Sequence, residues 1–274
     1  MQVKIYGCRG SIPVANRQTH RYGGNTTCLY IESSAGDAII IDAGSGIREL
    51  GVDLVQSQKR KLNLILTHYH WDHLQGFPFF VPVYLGSTQI SIYGTNKESS
   101  ARKALSYQMS FPYFPTITMS HLPAAFKFRE LKNRLQIGTI RIRTMAMNHP
   151  NYTLGLRFTE KGRTLVFMTD NELLYPKSKA KYRKFVSFTK DADILIHDAA
   201  YSDEIYPKKI GWGHSTFSQV MQLAQDAGVK HVVFTHHDPP TSDDFIDDIV
   251  KKYRTAYPGY TIEAAADGMT FTLK

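Results

Sequence analysis

The sequence predicts an α/β fold built on two sheets. Short apolar runs bounded by Gly, Asp, Ser and Asn fill the first half of the chain, strand-like and helix-like runs alternate in the second half, and no linker, repeat or low-complexity tract divides the 274 residues. A chain of this length accommodates one large domain or two small ones, and the unbroken pattern favours a single domain over residues 1–274.

In order along the chain, Val3–Tyr6, Cys28–Glu32 and Ala38–Asp42 read as strands. Gly44-Ser45-Gly46 breaks the third, and a short helix follows from Ile47 to about Gln56. Leu62–Thr67 is a buried-type apolar run. Gln89–Tyr93 reads as a strand and Ser99–Met109 as a helix, and the segment from Phe111 to Pro123, with three prolines and several aromatics, as an ordered loop. Ile140–Ala146, Tyr152–Phe158 and Thr164–Thr169 are three more strands, Lys179–Thr189 a helix, and Asp193–His197 a strand. The clearest helix places Phe217, Val220, Met221, Ala224 and Ala227 at helical spacing, with Thr216 and Gln219 forming a capping box before it and Gly228 ending it. His231–Thr235 is a strand, Asp243–Tyr253 a helix and Met269–Leu273 the last strand.

Composition narrows the function classes. With 42% hydrophobic and 21% charged residues the chain is composed as a globular protein, not a disordered one. No window approaches about 18 consecutive apolar residues, so no membrane span is expected. The N-terminus goes straight into a strand pattern without a secretory signal, which points to the cytoplasm. Cys8 and Cys28 read as buried free thiols. The formal charge of +9 attracts phosphate-bearing partners without identifying them, and the denser stretch from Lys177 to Lys184 reads as a solvated helix face.

The chemistry is concentrated after Leu-Ile-Leu-Thr, where His68, His70, Asp72 and His73 fall within six residues. A strand end delivers such a loop to the rim of a sheet, where the 68/70 pair and the 72/73 pair can face two neighbouring ions. Imidazole and carboxylate suit zinc, manganese or iron. One loop cannot complete two coordination shells. Further candidates stand just past strand-like runs: His149, Asp170 and His236.

This series resembles the ligand series of the metallo-β-lactamase superfamily, and Asp42, ending Ile-Ile-Ile-Asp, matches the early strand-end aspartate of that fold. The resemblance implies a four-layer αββα sandwich with two divalent metal ions, Zn2+ first and Mn2+ or Fe2+ as alternatives. It implies that His68, His70 and His149 hold one ion, that Asp72, His73 and His236 hold the other, and that Asp170 bridges them. Asp42 would orient the loop or a ligand imidazole from behind. His236 rather than the adjacent His237 is assigned because it aligns with the strand end.

Several features select a branch of that superfamily. His70 stands where oxygen-reducing diiron members carry a glutamate, and Asp170 where true β-lactamases usually carry a cysteine. Gly213-His214-Ser215-Thr216 resembles the catalytic His-Ser-Thr segment of ribonuclease Z and of the cyclic-phosphate phosphodiesterase of phosphonate breakdown. A plain helix cap is the other reading of that segment, and the two are compatible. Asp198 matches an acidic residue in the same strand-end segment of ribonuclease Z, which makes it a candidate to hold this histidine in orientation, a cap for the following turn being the other reading, and His197 reads as structural. The chain lacks the recognisable long Gly- and Pro-rich arm with which ribonuclease Z clamps tRNA.

The resemblance therefore implies a metal-dependent phosphoric diester hydrolase. A hydroxide bridging the ions attacks phosphorus, Asp72 helps hold the reacting centre, and His214 assists the leaving group. The expected substrate is a small phosphodiester, a cyclic nucleotide above all. RNA in a tRNA 3′-processing reaction, and a thioester or lactone, are the alternatives, and a homodimer is expected. One or two of Phe77, Phe79, Phe80, Tyr113 and Phe114 are candidates to stack on a base, although core packing is the commoner role of such groups. Trp71 and Trp212 are candidate walls of the pocket.

Overall fold

Runs of β-branched and apolar residues set the first strands of the structure, a computed structural model that describes residues 1–114, 117–177 and 181–274. β1 (Gln2–Gly7) and β2 (Cys28–Glu32) pair antiparallel, and β2 pairs β3 (Ala38–Ile41) in the same sense. β3 is buried along its whole length, which its Ala-Ile-Ile-Ile run suits. After α1 (Ile47–Gln56) the chain returns in β4 (Lys61–Ile65), parallel to β3. β5 (Gln89–Gly94), α2 (Ala101–Gln108) and β6 (Ala125–Glu130) extend that sheet in parallel.

The second sheet begins with three antiparallel neighbours, β7 (Arg134–Ile137), β8 (Ile140–Ala146) and β9 (Leu154–Glu160), and continues antiparallel into β10 (Arg163–Met168). α3 (Tyr182–Thr189) leads to β11 (Ile194–Asp198), and α4 (Phe217–Ala227) to β12 (His231–Thr235). α5 (Asp243–Ala256) precedes β13 (Thr261–Ala264), and β14 (Thr270–Thr272) returns to pair with β1. Each sheet has seven strands, ordered β14-β1-β2-β3-β4-β5-β6 and β13-β12-β11-β10-β9-β8-β7.

The sheets pack through Ile31, Ile39, Ile41 and Ile65 on one side and Ile142, Leu156, Phe158, Leu165 and Ile196 on the other. Each such side chain, fully buried, contributes about 1.5–3 kcal/mol. Leu50, Leu54 and Leu105 of α1 and α2 cover the outer face of the first sheet, and Phe185, Val220 and Leu223 of α3 and α4 cover the second. The result is the four-layer αββα sandwich expected from the sequence. α4 is locked at both ends as expected. Thr216 and Gln219 make the reciprocal capping box, and Gly228 ends the helix in the left-handed region at φ 72°.

Three strands were not anticipated: β6, β7 and β13. Of the loop expected from Phe111 to Pro123, residues 115 and 116 lie outside the described residues, and Met119–His121 forms one short 3-10 turn. The helix expected from Lys179 begins at Tyr182, and residues 178–180 lie outside the described residues. α5 runs three residues past the expected end at Tyr253. Cys8 and Cys28 are buried and free. Among the described residues no helix is long and apolar enough to cross a membrane.

Candidate metal centre

Six strands release the site residues from their C-terminal ends. Asp42 follows β3, His68–His73 follow β4, His149 follows β8, Asp170 follows β10, Asp198 ends β11 and His236 follows β12. Asp42, Asp170 and His236 each take a left-handed backbone, at φ 61°, 50° and 59°. The chain thus turns sharply as it leaves each strand.

All seven expected ligand residues come together. The donor atoms of His68, His70, His149 and Asp170 lie within 4.8 Å of one another, as do those of Asp72, His73, Asp170 and His236. Asp170 divides its oxygens between the two groups. Its Oδ2 faces His68 Nε2 at 3.6 Å and His149 Nε2 at 3.7 Å, while its Oδ1 faces His73 Nε2 at 3.2 Å and His236 Nε2 at 3.4 Å. Asp72 Oδ2 lies 3.3 Å from His73 Nε2 and 3.2 Å from His236 Nε2. His70 Nδ1 meets His149 Nε2 at 3.1 Å.

Groups behind the ring nitrogens fix which atom points inward. His73 Nδ1 donates to Asp42 Oδ2 at 2.8 Å, and Asp42 also accepts from the Thr67 amide at 2.7 Å and hydroxyl at 2.8 Å. Thr67 Oγ1 in turn lies 3.1 Å from His68 Nδ1. His149 Nδ1 donates to the Gly213 carbonyl at 3.1 Å, and the Ser11 amide donates to Asp72 Oδ2 at 2.8 Å. Gly10 packs so closely on the His236 ring that a Cβ there would lie 2.4 Å from Nδ1.

With Nδ1 engaged, the Nε2 atoms of His68 and His73 are buried and have no hydrogen-bond partner. Orphaned buried nitrogens aimed at carboxylate oxygens are costly unless a cation lies between them. The set of five imidazoles and two carboxylates suits zinc, manganese or iron(II), so these residues fit a pair of divalent ions.

The two groups differ electrically. Burial pushes the His68 imidazolium well below its ordinary pKa, and His73 adds to the effect against Asp170. Burial likewise lowers His149 to about 4. Burial also acts to lower His73 and His236, but there the carboxylates prevail. Asp72, Asp170 and Asp42 hold His73 well above its ordinary value, and Asp170 and Asp72 raise His236 to about 9. Burial disfavours the charged forms of Asp72 and Asp170, yet the surrounding imidazoles hold both below the carboxylate range. Asp42 is raised, because its burial outweighs His73.

His214 stands beside this centre. Its Nδ1 pairs with Asp198 Oδ2 at 2.8 Å, and its ring stacks on His236 with centroids 4.8 Å apart and meets the His149 ring edge-on at 5.4 Å. Asp198 is fully buried and also accepts from the Asn171 and Ser215 amides. Burial opposes its charge, but His214 keeps it below the carboxylate range. Thr216, two residues on, caps α4, so one short segment both starts a helix and presents His214. His197 is buried, with Nδ1 on the Asp198 carbonyl at 2.7 Å, and His237 turns away to donate to the Ala265 carbonyl at 2.9 Å.

Sequence reasoning missed the supports. Buried Glu172 accepts from the Tyr206 hydroxyl at 2.8 Å and from the Gly211 and Gly213 amides at 3.0 Å, so it holds the loop whose carbonyl orients His149. Asn171 Oδ1 accepts from the amide of Asn148, next to His149. The polar run Asp-Asn-Glu at a strand end was the available signal. The aromatic candidates divide. Phe77 and Phe80 are fully buried in the core under α1 and cannot stack on a ligand, which corrects the expectation for them, whereas Phe79, Tyr113, Trp71 and Trp212 are exposed. A hollow of about 210 Å³ beside the metal loop is lined by Tyr69, Trp71, Lys103 and Tyr107, and one of about 310 Å³ by His149, Glu172, Tyr175 and Lys177.

Known proteins share this plan. A probable metallo-hydrolase, YhfI of Bacillus subtilis, is 25% identical over 86% of each chain, and ribonuclease Z of Clostridium kluyveri is 24% identical over 87% of this chain and 88% of its own. Among solved structures, a diphosphatase from the PhnP family superposes with a TM-score of 0.71 over 100% of this chain and 98% of its own at 16% identity, a likeness of fold. The family model described as a beta-lactamase superfamily domain matches residues 38–237. That span opens on the strand leading to Asp42 and closes just past His236, taking in every side chain of the two ligand groups, and the chain accordingly belongs to the beta-lactamase superfamily.

Proposed function

We propose that the protein is a dinuclear-metal phosphodiesterase that hydrolyses a small phosphodiester, specifically a cyclic nucleotide to its monophosphate. His68, His70 and His149 would hold one ion, Asp72, His73 and His236 the other, with Asp170 shared. Ions in such a pair supply Lewis acidity toward phosphoryl oxygens and bring the pKa of water toward neutrality.

The observation that carries the reading is the Asp198–His214 pair set against His236. Metal ligation alone does not require it. A buried carboxylate on Nδ1 fixes the orientation of the ring and leaves Nε2 free to face the site, where it would pass a proton to a departing alkoxide. Ester hydrolysis with a good leaving group needs no such donor, whereas a sugar oxygen leaving phosphorus does. The names of the two similar proteins, a ribonuclease and a diphosphatase, support chemistry at phosphate. The exposed Trp71 and Tyr107 beside the metal loop offer faces on which a base can stack.

Hydrolysis of bis(p-nitrophenyl) phosphate and a panel of cyclic nucleotides by the zinc- or manganese-loaded protein tests this. Wild type cleaves, and His214→Ala loses about 100-fold or more on the cyclic substrates while retaining both ions. A protein that binds two ions yet cleaves no diester overturns the reading.

A further inference from the structure

The outer face of the second sheet carries a row of arginines. Register sets Arg134 of β7 directly opposite Arg143 of β8, and Arg143 opposite Arg157 of β9. Residues directly opposite one another share a face. That face points away from the sandwich interior, because the alternate positions Ile142, Leu156 and Phe158 lie in the core between the sheets. Arg141, two positions before Arg143, adds a fourth guanidinium to it.

Like charges directly opposed across strands are destabilising, and little offsets them here. Arg134, Arg141 and Arg143 are exposed, and none takes part in any ion pair found among the described residues. Arg157 is held differently, donating to the carbonyls of Phe188 and Lys190 at the end of α3. Burial and the adjacent Arg143 both lower its pKa, with Asp191 and Asp193 opposing. The exposed Lys127 and Arg129 stand on β6, the edge strand of the first sheet, and Lys132 on the link from it into β7, so they add charge to the neighbouring edge and not to this face. From residue 125 to 159 the chain has seven Lys and Arg against one carboxylate, Glu130, so this stretch supplies +6 of the net +9.

We propose that this face binds the phosphate backbone of a nucleic acid. Guanidinium forks match phosphate oxygens two at a time. Strands about 4.8 Å apart set the row from β7 to β9 about 10 Å long, enough to engage successive phosphates of one strand. A bilayer fits poorly, because the exposed large hydrophobic side chains that would enter it are absent between residues 125 and 159. β8 leads from Arg143 to His149 in six residues, at most about 20 Å. The row therefore stands no farther than that from the rim of the metal centre. The binding does not require turnover, so it stands or falls separately from the diesterase reading.

The test is fluorescence anisotropy with labelled single-stranded RNA and DNA of about 20 nucleotides, longer than a typical single-domain site, repeated across a salt series. The comparison is wild type against the exposed triple variant Arg134→Glu, Arg141→Glu, Arg143→Glu. Wild type binds, with affinity falling steeply in salt. The triple variant binds at least about tenfold more weakly, and its slope of log affinity against log salt is flatter by about 2. Retained cleavage of bis(p-nitrophenyl) phosphate, or the same thermal midpoint where no cleavage occurs, shows that the variant is folded. The single change Arg143→Glu gives a second reading, since a carboxylate between two arginines raises the thermal midpoint by about a degree or more. Equal binding by wild type and triple variant overturns the proposal. So does wild type that binds phosphatidylglycerol vesicles but no oligonucleotide, or that binds neither.

Discussion

The two halves of the metal centre are built from the same residue types but poised in opposite ways. The group of His68, His70 and His149 has three imidazoles and a share of one carboxylate, and burial drives the ring protons off His68 and His149, to about pH 4 for His149. The group of Asp72, His73 and His236 has a carboxylate of its own, with Asp42 behind His73, and its rings hold protons, up to about pH 9 for His236. One half is thus ready to accept a cation and the other must exchange protons for it. Burial sets the first and local carboxylates override burial in the second. On the proposed reading, the carboxylate-rich half is the tighter site and the imidazole half the one emptied first by a chelator.

The shared carboxylate offers the strongest way to break that contrast. Asp170→Asn keeps a side chain that tolerates the left-handed backbone but removes the charge both halves use. Diester hydrolysis should fall on the order of 10⁴-fold, the upper range for loss of one catalytic group, and metal analysis should show fewer than two ions per chain. Full occupancy with normal rates would mean that Asp170 is not the bridge. His214→Ala should come next, with its loss of about 100-fold or more and both ions in place. Asp42→Asn touches one half directly, at His73, and reaches the other only through the Thr67 hydroxyl on His68. It should weaken binding of a single ion by about 10–100-fold, and a titration showing both ions equally weakened would remove the distinction between the halves. Glu172→Gln acts on the other half, through the Gly211–Gly213 loop and the carbonyl that orients His149. About a tenfold loss of the more weakly held ion is expected, with the tighter ion unaffected.

The smallest effect is on the metal-free protein. His236, raised to about 9 from an ordinary 6.5, contributes stability that is complete below pH 6.5 and is lost as pH rises through 9. His149, lowered to about 4, acts in reverse, and stability falls as pH drops from 6.5 toward 4. The thermal midpoint of the stripped protein should therefore decline on both sides, the alkaline arm shrinking in His236→Asn, where raised His73 remains, and the acid arm shrinking in His149→Asn. A flat profile would show that the two halves are not poised differently.

The candidate ligand residues were legible because each announces itself twice, by residue type and by position at the end of an apolar run. His68-Tyr-His70-Trp-Asp72-His73 after Leu-Ile-Leu-Thr is the plainest case. The supports were not legible, because they act through the backbone. Glu172 grips two amides 39 and 41 residues away, and Ser11 reaches Asp72 with its own N–H. Neither leaves a side-chain pattern. β6 and β7 were missed although Phe126-Lys127-Phe128-Arg129 and Arg134-Leu135-Gln136-Ile137 alternate, since both are short edge strands whose outward positions are charged or polar. Phe77 opens one short 3-10 turn and Phe80 stands between it and the next, where no period tells the buried face from the exposed one.

Asp42, Asp170 and His236 share a left-handed backbone that a glycine would adopt at no steric cost. Each non-glycine residue there forfeits about 1–2 kcal/mol, and the three together approach the size of a typical folding free energy, about 5–15 kcal/mol. Two of the three are proposed ligands and the third holds one. The ions that hold these corners in place would then also hold the chain in its fold. In a cell starved of the metal, the opened form of this protein would be more populated and more exposed to proteolysis, so its abundance would follow metal supply.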